Sequence, residues 1–197
     1  MKSFHTQPQI KSNKQGFTFI ETLVAITVLL VAVVAPMSLA QDGIIAAKLA
    51  QDQIVAFYLG QEGVEIIKNL RDTNRLNNAP GGQMSGAALS NCIVNVATHE
   101  TDDGCTVDAT SAPDGEFETE RCITQCDNLY LDIAAARTLY TQNPLGNLET
   151  KYRREVKVWY PDPTDTNEAV VEVVITWPFS RNGQPKTYKV KNYLYDW

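Results

Sequence analysis

Residues 14–41, KQGFTFIETLVAITVLLVAVVAPMSLAQ, decide how this chain is read. From Thr22 to Gln41 twenty residues pass without a charge. At about 1.5 Å per residue a helix of that length spans roughly 30 Å, the hydrocarbon thickness of a bilayer. One carboxylate, Glu21, stands just before the run, preceded by Phe17-Thr18-Phe19-Ile20 and by Gly16. Upstream lies a polar leader, MKSFHTQPQIKSNKQG, with Lys2, Lys11 and Lys14 and no acid. An acid in a membrane helix costs roughly 2.5–3.5 kcal/mol at the helix centre and less toward the interface, so it usually has a partner. The next cation after Glu21 is Lys48, far beyond two helical turns, so the helix supplies none. Two readings are open. Glu21 rests among headgroups, favoured by the positive end of the helix dipole, or it pairs with an amine from outside the helix.

The arrangement resembles the N-terminus of type IV prepilins and type II secretion pseudopilins. Their motif is a basic leader ending in Gly, an apolar and often Phe residue after the cut, Glu four residues on, and a long apolar helix. Here those positions are Lys14, Gly16, Phe17 and Glu21. The resemblance covers residues 14–41 and is weak elsewhere. It implies cleavage by a prepilin peptidase after Gly16, N-methylation of the new Phe17 amine, and pairing of Glu21 with the N-terminal amine of a neighbouring subunit. Removing one member of such a buried pair leaves the other uncompensated, the expensive case. The resemblance also makes Pro36 the candidate helix break on assembly, since proline removes a backbone hydrogen bond and clashes with the preceding turn.

A different processing route competes. Ser38-Leu39-Ala40 carries small residues where an ordinary signal peptidase reads, and Leu23–Ala35 resembles an apolar signal core. That route yields a soluble secreted binding protein starting at Gln41. It requires an n-region of over twenty residues with Glu21 at its border.

Charge supports an anchored reading. The chain has 197 residues and net charge −6, and loss of the trilysine leader leaves −9. Basic before the span and acidic after it is the positive-inside pattern: leader in the cytoplasm, body outside. The prepilin resemblance implies a single-pass anchor in the inner membrane and, after assembly, the pilus or cell surface. An acidic body argues against strong nucleic-acid binding. All four cysteines lie beyond the anchor, as suits disulfides in an oxidising exterior.

Five segments follow: a leader over 1–16, the membrane and assembly half of a helix over 17–41, its amphipathic half over 42–73, a loop-rich connector over 74–151, and a β-meander over 152–197. In the amphipathic half Ile45, Leu49, Ala56, Leu59, Ile67 and Leu70 form a helical stripe. Gly60 and Gly63 either admit close packing of a sheet or are tolerated helix glycines. Asn74, Asn77, Asn78, Pro80, Gly81 and Gly82 end the helix.

In the connector, strands are expected at Cys92–Ala97, Cys105–Ala109 and Leu129–Ile133. Cys92, Cys105, Cys122 and Cys126 allow three pairings; easy closure of short loops favours Cys92–Cys105 with Cys122–Cys126. Their spacing fits no C-x₂-C zinc pattern. Asp102, Asp103 and Asp108 lack the spacing of a calcium loop and read as solvated acids.

Over 152–197 the alternation of Val156, Val158 and Tyr160, the β-branched run Ala169–Trp177 and the segment Lys186–Tyr195 predict three antiparallel strands. Pro161–Asn167 and Asn182-Gly183 supply the turns. Arg153 and Arg154 read as a solvated strand edge, and Trp159, Trp177 and Trp197 as packing or rim residues. The fold class is therefore α+β: a long N-terminal transmembrane and amphipathic helix packed on a small C-terminal antiparallel β-sheet, as in pilins.

No P-loop or G-x-S-x-G motif occurs, and His99 is the one histidine beyond the leader, so the expectation is a non-enzyme without cofactor, resident metal or catalytic residues. The resemblance implies a structural subunit of a type IV pilus-like filament. The long irregular middle, and the lack of a C-terminal cysteine loop like that of many major pilins, point to a minor subunit. Its partners are then other pilin subunits, the prepilin peptidase, the pilus assembly machinery and the inner membrane before assembly. A type II secretion pseudopilin is the alternative within the same chemistry.

Overall fold

The computed structural model describes residues 16–76, 87–99, 103–108, 110, 118–133, 139–165, 167–178 and 184–195. The expected helix-stop cluster at 77–82, the Asn182-Gly183 turn, Asp102, Trp197 and leader residues 1–15 lie outside them. The protein is α+β, with one long N-terminal helix followed by a C-terminal antiparallel sheet. It divides into two units, Met1–Leu49 and Ala50–Trp197.

Helix α1 runs over Phe19–Leu76, three residues past the expected end at 73 and through Asn74, one of the residues expected to stop it. It starts two residues later than residue 17 because Thr18 caps it: the Thr18 carbonyl accepts from the Glu21 and Thr22 amides at 3.1 and 3.2 Å, and its hydroxyl accepts from the Glu21 amide at 3.4 Å. Thr18-x-x-Glu21 thus has the sequence of a capping box. Pro36 lies inside α1, which continues through it in the single subunit; the break expected there belongs to filament assembly. One proline deletes one hydrogen bond, and the turns on both sides keep theirs.

In the unit Ala50–Trp197, α1 buries Ala56, Leu59, Val64, Ile66, Ile67 and Leu70 against Val156, Val158, Val171, Val173 and Ile175 of the sheet. Ile45, expected in the same stripe, is exposed. The glycines decide how closely the layers approach. A Cβ on Gly63 would lie 3.0 Å from Val173 Cγ1, and one on Gly60 would lie 3.1 Å from Tyr188 Cε1.

After a short helix α2, Ala87–Ser90, seven strands follow: β1 Cys105–Asp108, β2 Glu118–Arg121, β3 Asn128–Asp132, β4 Leu139–Thr141, β5 Leu148–Trp159, β6 Glu168–Pro178 and β7 Pro185–Tyr195. The expected three-stranded meander is present as β5-β6-β7, but it is part of a larger sheet. β5 is its middle. One edge of β5 pairs with β6 from Arg153↔Thr176 to Trp159↔Val170. The other edge is shared by three segments in turn: β3 at Leu148–Arg153, β1 at Val156, and a parallel bridge from Ile93 to Val158. The strand expected over Cys92–Ala97 is reduced to that bridge, because the chain turns at once: the Thr98 amide donates to Asn95 O at 3.1 Å. β2 and β4, which sequence reading missed, are four and three residues long, too short to show alternation.

This centrality corrects the reading of Arg154. Alternation along β5 puts Tyr152, Arg154, Val156 and Val158 on the buried face. Arg154 is 0% exposed. Its guanidinium donates to Glu62 Oε2 at 2.7 Å, to Val107 O at 2.7 Å and to Leu59 O at 3.4 Å. It ties α1, β1 and β5 together rather than lying on a solvated edge.

Asp108 is likewise buried, not part of a solvated acidic loop. It accepts from the Thr110 amide and hydroxyl at 2.8 Å each, the Thr141 hydroxyl at 2.6 Å and the Gln142 amide at 2.7 Å. Burial pushes its carboxyl up, but these donors outweigh burial and hold it below the ordinary aspartate value. Cys92 is bonded to Cys105 and Cys122 to Cys126. The first bridge joins two segments that pair with the same edge of β5. Trp159 and Trp177 are buried, and the His99 ring stacks on Trp159 with centroids 4.3 Å apart.

Candidate assembly site at the N-terminal helix

The described residues from Gly16 to Lys48 form an unburied apolar surface. Every described side chain among them is exposed, including Phe17 at 82% and Phe19 at 83%. α1 is long and apolar enough here to cross a membrane, with none of its most apolar window buried. Its polar side chains fit that setting. The Thr22 hydroxyl donates to Phe19 O and the Thr27 hydroxyl to Val24 O, both at 2.8 Å, so neither presents an unpaired donor to an apolar medium. That signal is visible in sequence as threonine within an apolar run, and it went unread.

Gly16 and Phe17 precede the Thr18 cap and are non-helical and exposed. A Cβ on Gly16 would meet no described atom within 4 Å. Glu21 lies in the first turn of α1, four residues after Phe17 and on an exposed surface. Its carboxylate makes no ion pair or hydrogen bond to a described residue. The structure thus brings Gly16, Phe17 and Glu21 within one short segment at the start of the helix and leaves Pro36 over four turns on, within the helix. The four cysteines belong to the other unit. Among the described residues no group of three or more His, Cys, Asp or Glu side chains is placed to hold a metal ion.

A family model described as the prokaryotic N-terminal methylation motif matches residues 11–35. The chain carries the type IV prepilin-like signature. The match takes in Gly16, Phe17 and Glu21 and ends just before Pro36. It supports a type IV pilin- or pseudopilin-type protein, with membrane anchoring through the apolar helix and pilin-type processing and assembly in general. No curated protein and no solved structure matches the chain.

The second unit holds charged contacts of a different kind. Asp52 of α1 accepts from Lys151 Nζ at 2.6 Å and from the Tyr152 hydroxyl at 3.1 Å. Burial, then the Asp52 charge, raise the Tyr152 phenol far above its ordinary value, so it remains a donor at neutral pH. With Arg154–Glu62 this makes two charged ties between α1 and β5.

Proposed function

We propose that this protein is a structural subunit, in the manner of a minor pilin, of a type IV pilus-like filament. Prepilin peptidase cuts after Gly16, and the subunit polymerises through residues 17–41 of its helix. The single observation that carries this is the methylation-motif match over residues 11–35, set on a helical segment, 17–41, whose apolar side chains are exposed and whose one carboxylate, Glu21, has no partner among the described residues. Cleavage creates a positive amine at Phe17. A neighbouring subunit's amine then meets Glu21, and two apolar helices bury each other's only charges as one pair. Leaving the Glu21 carboxylate buried and unpaired costs several kcal/mol, enough to exclude mismatched registers. Pro36 is the place where α1 loses helical hydrogen bonds most cheaply on packing into a filament. The role is structural, with the motor supplied by other proteins.

Mass spectrometry of the mature N-terminus in membrane and sheared-surface fractions tests this. The expected start is Phe17 carrying one N-methyl group. A start at Gln41 overturns the proposal, since it cuts within α1 and discards the assembly segment. Glu21→Gln is expected to keep processing and membrane insertion while surface filament falls by about 100-fold, from an uncompensated amine worth ~3 kcal/mol per contact.

A further inference from the structure

The long strands β6 and β7 reach one end of the sheet at the pair Pro178↔Pro185. Beside that end is a pocket of about 310 Å³ walled by Asn128, Lys151, Arg153, Thr176 and the two prolines. In a chain of net charge −6, none of its lining residues is acidic and two are cations.

The two cations differ. Lys151 is neutralised by Asp52, 2.6 Å away. Arg153 makes no side-chain hydrogen bond or ion pair to a described residue, and its Nε is buried without an acceptor. Trp177 also lines the pocket; its ring packs against Tyr152 in the core, centroids 6.3 Å apart, and its buried indole Nε1 has no acceptor among the described residues, so it reports on the pocket through the packing behind it. The topology explains why Arg153 has no anion among the described residues. Its cross-strand neighbours are the neutral Asn128 and Thr176. The acids flanking it on β5 are engaged elsewhere: Glu149 accepts from Asn128 Nδ2 at 2.7 Å, and Glu155 accepts from the Gly104 amide at 3.0 Å and pairs with Lys157 at 3.2 Å. A half-buried guanidinium left unpaired among so many acids is an incomplete pair, because desolvated charge is stabilised only by an opposite charge and well-placed hydrogen bonds.

We infer that this pocket binds a carboxylate through the Arg153 fork, on a compact ligand body that packs against the Pro178–Pro185 wall. The planar fork matches a carboxylate through two parallel hydrogen bonds. One unpaired positive charge suits a monoanion, whereas a phosphate dianion would bring a second charge with no cation to meet it. Thr176 Oγ1 and Asn128 Oδ1 stand ready for hydroxyl or amide groups on the ligand, since the Asn128 Nδ2 is already given to Glu149. The carboxylate belongs either to a small acid such as a uronic sugar or to an acidic side chain of a second copy of this chain. The inference does not depend on the filament reading.

The test follows the Trp177 indole N–H resonance of the full chain in detergent micelles, identified by its loss in Trp177→Phe. Sodium galacturonate is the probe and neutral galactose its control. Galacturonate is expected to shift the resonance saturably and galactose to leave it unmoved. Arg153→Gln should weaken the apparent affinity about 10-fold or more, as loss of a charged hydrogen-bonded contact does. Arg153→Lys keeps the charge without the fork and should fall between. If the carboxylate comes from a second copy, concentrating the protein alone shifts the resonance and galacturonate reverses the shift. The inference is overturned if neither galacturonate nor protein concentration shifts it. It is equally overturned if galactose acts like galacturonate, or if Arg153→Gln and Arg153→Lys, with unchanged circular dichroism, respond as the parent does.

Discussion

Helix α1 is one element with two solutions to the same problem. From Phe19 to Lys48 its described side chains are exposed and mostly apolar, with one acid in the first turn. From Ala50 to Leu76 it presents a narrower stripe, and that stripe is covered by β5, β6 and β7 of the same chain. The second part finds its solvent substitute within the chain; the first needs one from outside, whether lipid or other helices. The glycines repeat the contrast. Gly43 has nothing within 4 Å of a would-be Cβ, while Gly63 sits against Val173 and Arg154.

The largest effect that would sharpen this contrast is expected from Arg154. Arg154→Ala leaves a cavity, two carbonyls without their donor and Glu62 without its partner, and should destabilise the body by about 3–5 kcal/mol. Urea unfolding of the full chain in detergent, followed by tryptophan fluorescence, measures it. Glu21→Gln in the same assay should change nothing, and a comparable loss there would erase the distinction between the two parts.

Acid should weaken the body through Asp108. The folded Asp108 carboxyl lies below its unfolded value of 3.8. The folded state therefore holds fewer protons in this range, so the contribution is complete above the unfolded value and drains as pH falls through the folded one. Asp108→Asn should cost about 2 kcal/mol at pH 7 and flatten the stability profile below about pH 4. Urea midpoints across pH 2.5–7 check this; parallel profiles for parent and variant would refute it.

The smallest effects come from the two glycines and should differ in sign. Gly63→Ala forces a methyl against Val173 and should cost about 1–2 kcal/mol. Gly43→Ala meets no obstacle and should leave the body's unfolding midpoint untouched while raising helicity, a gain of up to ~1 kcal/mol. Denaturation midpoints and far-ultraviolet circular dichroism of the two variants suffice. Equal responses would mean that the helix feels the sheet along its whole length.

The parts of this molecule legible in sequence are those governed by near neighbours. An uncharged run of twenty residues, Gly16-Phe17 before Glu21, and the β-branched run in β6 need no knowledge of the rest of the chain. The Thr18 cap was equally local and was overlooked. The role of Arg154 was hidden for a different reason. It depends on β5 having partners on both edges, and those come from segments as far apart as Ile93 and Thr176. Asp108 reads as one more acid in an acid-rich loop until Thr141, from another strand, is brought to it. Glu21 stands out in the sequence because its place in the methylation motif is fixed by its distance from Gly16. The Arg153 pocket does not, because strand pairing alone leaves that arginine between neutral neighbours.

The two-sided pairing of β5 also sets a timetable. Segment 92–94, β1 and β3 all dock on a strand that emerges from the ribosome after them, and the stripe on α1 waits longer still, for β6 and β7. While a chain grows from its N-terminus, these earlier pieces can form only local structure and must hold their apolar faces uncovered until nearly the last residue appears. Such delayed, long-distance closure makes folding slow and leaves the incomplete chain prone to sticking to others. A chain held by its first forty residues in a bilayer would spend that vulnerable interval spaced apart from its siblings, with its unfinished half unable to diffuse freely into a crowd.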